Sequence, residues 1–172
     1  CSRVGSPDAI LSLNFQPGVE RYYYCEGSGR IVGAVPGTAV ELNNIEFLQT
    51  WEDPEQKKAI CQAVTTVLEK VSQNQRMLFH CEAGRDRTGA IAGLLGGLAL
   101  EVHPELSRKE ILKAVECDYT KSASLTKNKY GRMDHFLRAI WEDTSSIGDF
   151  LVSRCGTDPQ LIDQFRLKMA AT

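Results

Sequence analysis

Residues Ala90 to Leu100 read Ala-Ile-Ala-Gly-Leu-Leu-Gly-Gly-Leu-Ala-Leu, eleven in a row without a polar side chain. A helix that is apolar on every side is tolerated only when it is buried on every side. The run is well short of the ~20 residues needed to cross a bilayer. The rest of the chain must therefore wrap it. With 172 residues there is enough chain for one ordinary domain, since cores split only beyond ~250–300 residues. Hydrophobic residues make up 42% and charged residues 24%, which excludes a disordered tail. The net charge of −2 leaves nucleic-acid binding without global support. Any anion site must come from local clustering of cations.

Periodicity places the other elements. Ala9 to Leu13 is a short apolar run bounded by Pro7-Asp8 and Pro17-Gly18, and reads as a buried strand. Arg21 to Cys25, with three tyrosines expected to alternate across the strand, and Arg30 to Val35 are two further strands. Glu26-Gly27-Ser28-Gly29 turns between them. From Pro54 the period becomes helical through Ile60, Val64, Val67, Leu68 and Val71, with Asp53 as N-cap. That helix ends near Ser72-Gln73-Asn74. Arg76 to His80 then reads as a central strand. Three helices follow the apolar one. Ser107-x-x-Glu110 is a capping box for Ile111, Leu112 and Val115. Tyr130, Met133, Phe136, Leu137, Ile140 and Trp141 mark the next, and Thr157-x-x-Gln160 is expected to cap the last, with Leu161, Ile162 and Phe165 inward. Strands come early and helices dominate late. The class is α/β: a small, mostly parallel central sheet flanked by helices, in a single domain over residues 1–172.

Six cysteines are scattered at 1, 25, 61, 81, 117 and 155 with no C-x-x-C pair. This excludes a zinc knuckle or a thioredoxin motif and is too dilute for a disulfide-built scaffold. Cys61 and Cys117 read as small buried hydrophobes on helical faces. No apolar segment follows Cys1-Ser2-Arg3, so no signal peptide is read there. Cys1 itself matches the lipid-modified first residue of a mature bacterial lipoprotein. The compartment is accordingly open, exported if Cys1 is lipidated and cytoplasmic otherwise.

Cys81 differs through its neighbours. His80-Cys81-Glu82-Ala83-Gly84-Arg85-Asp86-Arg87-Thr88-Gly89 lies between the central strand and the apolar helix. Backbone N–H groups from Cys81 to Arg87 can wrap around one centre, and the following helix N-terminus adds partial positive charge. Glu82, Ala83, Gly84, Arg85, Asp86 and Arg87 would line that anion cradle, with the Arg87 guanidinium as a bidentate clamp. The same field favours a thiolate at Cys81, which makes it a nucleophile aimed at phosphorus. Thr88 can hydrogen-bond the sulfur and help it leave. His80 is expected to orient the loop. His103 and His135 have no partners at ligand spacing, so neither a metal nor another cofactor is implied.

The string His-Cys-x5-Arg-Thr-Gly after a strand resembles the phosphate loop of the cysteine-dependent protein tyrosine phosphatase superfamily. The fuller Cys-x-Ala-Gly-basic-Asp-Arg-Thr-Gly is similar to the bacterial tyrosine and phosphoinositide phosphatases. It also resembles the dual-specificity branch and the protein-tyrosine-phosphatase-like phytases. More weakly, Ser2 to Pro7 resembles the opening of such domains, and Ile147 to Leu151, Cys155-Gly156 and Leu161 to Arg166 resemble the closing helices of the bacterial branch. The resemblance implies a phosphomonoester hydrolase with Cys81 as nucleophile and Arg87 as phosphate clamp. It implies a general acid as well. Trp51-Glu52-Asp53-Pro54 supplies one candidate, because Asp53 lies 28 residues before Cys81, although the superfamily order is Trp-Pro-Asp. Asp86 is the other, an aspartate at that loop position having the acid role in the bacterial branch. Asp86 is slightly favoured.

Three functions follow: a phosphatase for phosphotyrosine or other phosphoproteins, a phosphatase for inositol polyphosphates such as phytate or for phosphoinositides, or a phosphate-binding module without turnover. Arg85 adds a cation that a singly phosphorylated peptide does not need. Lys121, Lys127, Lys129 and Arg132 offer a basic rim. A monomer is expected, touching membrane only through a lipidated Cys1 or a phosphoinositide substrate.

Overall fold

The computed structural model describes residues 7–13, 30–31, 51–81, 84–121 and 131–171. Strand β1 covers Ala9–Ser12, β2 Arg30–Ile31 and β3 Met77–His80. They form one parallel sheet in the order β2-β1-β3. In the β1–β3 register Ile10 pairs with Leu78 and Ser12 with His80. The segment between those strands holds helix α1, Pro54–Ser72, because parallel neighbours need a long crossover. The proposed strand at Arg21 to Cys25 lies outside the described residues, as do residues 32–35.

After β3 come α2, Asp86–Leu100, and α3, Arg108–Thr120. Then follow α4, Arg132–Asp143, α5, Ile147–Ser153, and α6, Pro159–Ala170. Helix α2 packs against all five other described helices and against β3. Ala90, Ile91, Leu94 and Leu98 are each fully buried, and no residue from Ala90 to Leu100 is exposed. Burying each Ile or Leu contributes ~1.5–3 kcal/mol. That explains why an all-apolar helix sits at the centre. Around it, Trp51 at the foot of α1 packs edge-on against Phe136 of α4 at 5.5 Å and Phe150 of α5 at 5.9 Å between ring centroids. One continuous core results.

The predicted caps at Asp53 and Ser107 are present. Asp53 Oδ1 accepts the N–H groups of Glu55 and Gln56 at 3.1 and 3.3 Å, and Ser107 and Glu110 form the full capping box. Three expectations need correction. The last helix is capped by Asp158, which accepts the Gln160 N–H at 2.9 Å. Pro159 decides this, since its fixed φ suits the first helical position and moves the cap to the residue before it. Thr157 is instead buried and bonds Thr65 hydroxyl to hydroxyl at 2.9 Å. Cys61 is buried, but as half of a disulfide with Cys155, 94 residues away. Cys117 is exposed, because α3 turns Ile111, Leu112, Val115 and Tyr119 inward and residue 117 falls on the opposite side. Among the described residues no helix is long and apolar enough to cross a membrane.

Candidate active site

The site stands where β3 ends and α2 begins, at the C-terminal edge of the parallel sheet. Ligands in open α/β sheets bind at that edge. The helix starts earlier than the apolar run suggests, at Asp86, so Asp86, Arg87 and Thr88 occupy its first turn. The side chain of the N-cap residue Arg85 does not cap it. The N–H of Thr88 in that first turn meets the Cys81 sulfur. Gly84 has φ +64°, a left-handed turn that favours glycine and bends the loop between strand and helix. Glu82 and Ala83 lie outside the described residues.

Cys81 is buried, with 6% of its surface exposed. Its backbone N–H donates to Thr88 Oγ1 at 2.8 Å, which ties the loop's start to the first turn of α2. Burial pushes the Cys81 thiol up. Hydrogen bonds from the Thr88 hydroxyl, the Thr88 backbone and the Arg85 backbone, with the charge of Arg87, outweigh it and leave the thiol below its ordinary value. That is the electrostatic setting of an activated cysteine. His80 Nδ1 donates to the Cys81 carbonyl at 3.1 Å, the orienting contact expected of it.

Asp86 is buried and held from two sides. Arg85 Nε donates to its Oδ2 at 2.9 Å and the Tyr119 hydroxyl to its Oδ1 at 2.8 Å. Asp53, by contrast, is exposed at the start of α1 and bonds its own helix end. The structure therefore gathers Cys81, Arg85, Asp86, Arg87 and Thr88 at one helix end. Tyr119 joins them from α3. Sequence periodicity could place Tyr119 one turn after Val115, on the buried face, but not show which group its hydroxyl meets. Of the expected basic rim, Lys121 is exposed and Arg132 lies close enough to act on the Tyr119 hydroxyl. Lys127 and Lys129 lie outside the described residues. A cavity of about 250 Å³ borders the loop between α2 and α3, lined by Gly84, Thr88, Gly89, Gly93, Val115 and Tyr119 among others. Among the described residues no group of three or more His, Cys, Asp or Glu side chains is placed to hold a metal.

Residues 43–171 match the profile of the tyrosine phosphatase family. The chain belongs to the tyrosine phosphatase family. The match spans α1 through α6 and includes the whole loop from Cys81 to Gly89. Family membership makes the protein a phosphatase, a hydrolase whose substrates are phosphorylated, and it agrees with the α/β architecture around the loop. Searches of curated proteins and of solved structures returned no match. Within the matched stretch, Cys81 directly follows β3, and Asp86 and Arg87 open α2.

Proposed function

We propose that the protein is a cysteine-dependent phosphomonoesterase acting on phosphotyrosine or other phosphoprotein substrates. The observation that carries this reading is the buried Cys81 thiol, favoured as thiolate by Thr88, the Arg85 N–H and Arg87 at an uncapped helix N-terminus. The thiolate attacks phosphorus as the P–O bond to the leaving oxygen breaks, forming a phosphocysteine. Arg87 neutralises the equatorial oxygens. Asp86 gives its proton to the leaving oxygen, then as carboxylate takes one from the attacking water. The S–P bond breaks, phosphate departs, and Thr88 stabilises the returning thiolate. The burial of Asp86 beside the loop supports it over the exposed, capping Asp53.

A second reading, turnover of inositol polyphosphates or phosphoinositides by the same steps, is favoured by Arg85 and Arg132. Both cations act on the Tyr119 hydroxyl beside the loop, which would suit a ligand with several phosphates. The Cys61–Cys155 disulfide supports work in an oxidising compartment, where such bonds form and persist. Cys81→Ser tests the mechanism. Turnover should vanish while vanadate or phosphate still binds, since the cradle is backbone plus Arg87; retained activity overturns it. Parallel rates on a phosphotyrosine peptide, phytate and phosphoinositide vesicles choose the substrate class, and a strong preference for either inositol substrate would replace the first reading with the second.

A further inference from the structure

We propose that Tyr119 is the positioning residue for the acid: its hydroxyl anchors one oxygen of the Asp86 carboxyl so that the other delivers the proton. The proposal rests on the reading of Asp86 as the acid. A carboxyl at the first position of a helix can rotate among several donors, and proton delivery needs one orientation. Here two donors reach two different oxygens. The Tyr119 hydroxyl holds Oδ1 at 2.8 Å and Arg85 Nε holds Oδ2 at 2.9 Å. The roles of the two donors differ. Arg85 sits in the loop next to the incoming phosphoryl dianion, which competes for its guanidinium and favours a neutral carboxyl beside it. When Arg85 turns to the phosphate, its bond to Oδ2 is lost, and Oδ2 carries the proton that passes to the leaving oxygen as the P–O bond breaks.

Tyr119 cannot make that exchange. It is 2% exposed and its ring fills the space that Gly89 leaves open: a Cβ at position 89 would stand 2.9 Å from Tyr119 Cδ2. Burial, then the hydrogen bond and charge of Asp86, push the phenol above its ordinary value, against weaker opposition from Arg132 and Arg85. The hydroxyl therefore stays a donor throughout the working range. Oδ1 keeps its anchor while Oδ2 changes partner.

The test compares the full-length wild type with Tyr119→Phe, Asp86→Asn and the double variant, using kcat/KM on a series of aryl and alkyl phosphates. Alkoxides depend most on protonation. Tyr119→Phe should lose about tenfold more on an alkyl phosphate than on p-nitrophenyl phosphate, the scale of one charge-assisted hydrogen bond. It should add nothing in the Asp86→Asn background. Should Tyr119→Phe fold poorly by circular dichroism, Gly89→Ala, which displaces the ring and keeps the hydroxyl, should steepen the leaving-group dependence in the same sense. Equal losses on all substrates, or losses that add to those of Asp86→Asn, overturn the positioning role. An Asp86→Asn variant with unchanged leaving-group dependence is a separate outcome: it removes Asp86 as the acid, and the role of Tyr119 with it.

Discussion

At the residue scale Thr88 bears on Cys81 in two ways. Its hydroxyl accepts the Cys81 N–H at 2.8 Å and also stabilises the sulfur as thiolate. Burial opposes ionisation and the hydrogen bonds with Arg87 overcome it, so reactivity should appear below the ordinary thiol value of 9.0. Thr88→Ala should move the acid limb of iodoacetamide alkylation, followed against pH, toward 9.0; an unmoved limb would assign the shift to Arg87 and the backbone. The stability sign follows. A depressed folded pKa contributes fully above the unfolded value and is lost as pH falls through the folded one. Arg87→Lys keeps the charge but loses the planar fork. We expect a fall in kcat of ~10²-fold, the scale of one preorganised donor, and a Lys variant with near wild-type kcat would show that the fork is not used.

At the scale of elements, helix starts differ in where their caps come from. Helices α1, α3 and α6 carry their own caps at Asp53, Ser107 and Asp158. Helix α4 begins at Gly131, which has no capping side chain. Glu116 of α3 accepts the Gly131 and Asp134 N–H groups at 2.6 and 3.1 Å in its place. Helix α5 combines a local cap from Ser146 with Glu101, just past α2. The Glu101 carboxylate accepts the Ile147 N–H at 2.6 Å, the Gly148 N–H at 3.3 Å, Trp141 Nε1 at 2.9 Å and the Arg166 guanidinium at 3.3 Å. One carboxylate thus ties the end of α2 to α4, α5 and α6. Glu101→Ala would leave those donors unpaired in a half-buried place, costing ~2–4 kcal/mol, to be read from the urea midpoint. A change within ~0.5 kcal/mol, ordinary for a surface site, would show that water replaces the carboxylate.

Across the whole molecule, α2 is the hub and the disulfide closes the outside. Cys61 of α1 is joined to Cys155 just after α5. Beside that bond Thr65 meets Thr157, and Lys168 of α6 donates to the Val71 and Ser72 carbonyls at the end of α1. The C-terminal helices are in this way fastened to the crossover helix that precedes the active-site strand. A closed loop of this length restrains the unfolded chain strongly, and its removal typically costs ~2–4 kcal/mol. Denaturation with dithiothreitol should show that loss, and Cys61→Ala with Cys155→Ala should reproduce it without reductant. Turnover per folded molecule should persist in the double variant, since the bond joins α1 to the segment after α5 and not to the segment from Cys81 to Thr88. A denaturation midpoint unmoved by both treatments would show that the bond does not hold the fold.

Sequence alone determined what is local. The strand before Cys81, the cap at Asp53 and the capping box at Ser107 each depend on neighbours a few residues away, and their patterns are legible as spacing. The burial of α2 was equally legible, because eleven apolar side chains leave no face for water. What only tertiary structure decided is what long-range partners supply. Cys61 reads as a small buried hydrophobe and Cys155 only as part of a closing-helix resemblance, and the fold brings them together across 94 residues. Glu101 and Glu116 look like ordinary surface acids until α5 and α4 deliver their N–H groups to them. Tyr119 reads as one more core position on α3; that its hydroxyl meets Asp86 depends on how closely α3 packs over Gly89. A one-dimensional pattern records which face of a helix is buried, but not which atom waits on the other side.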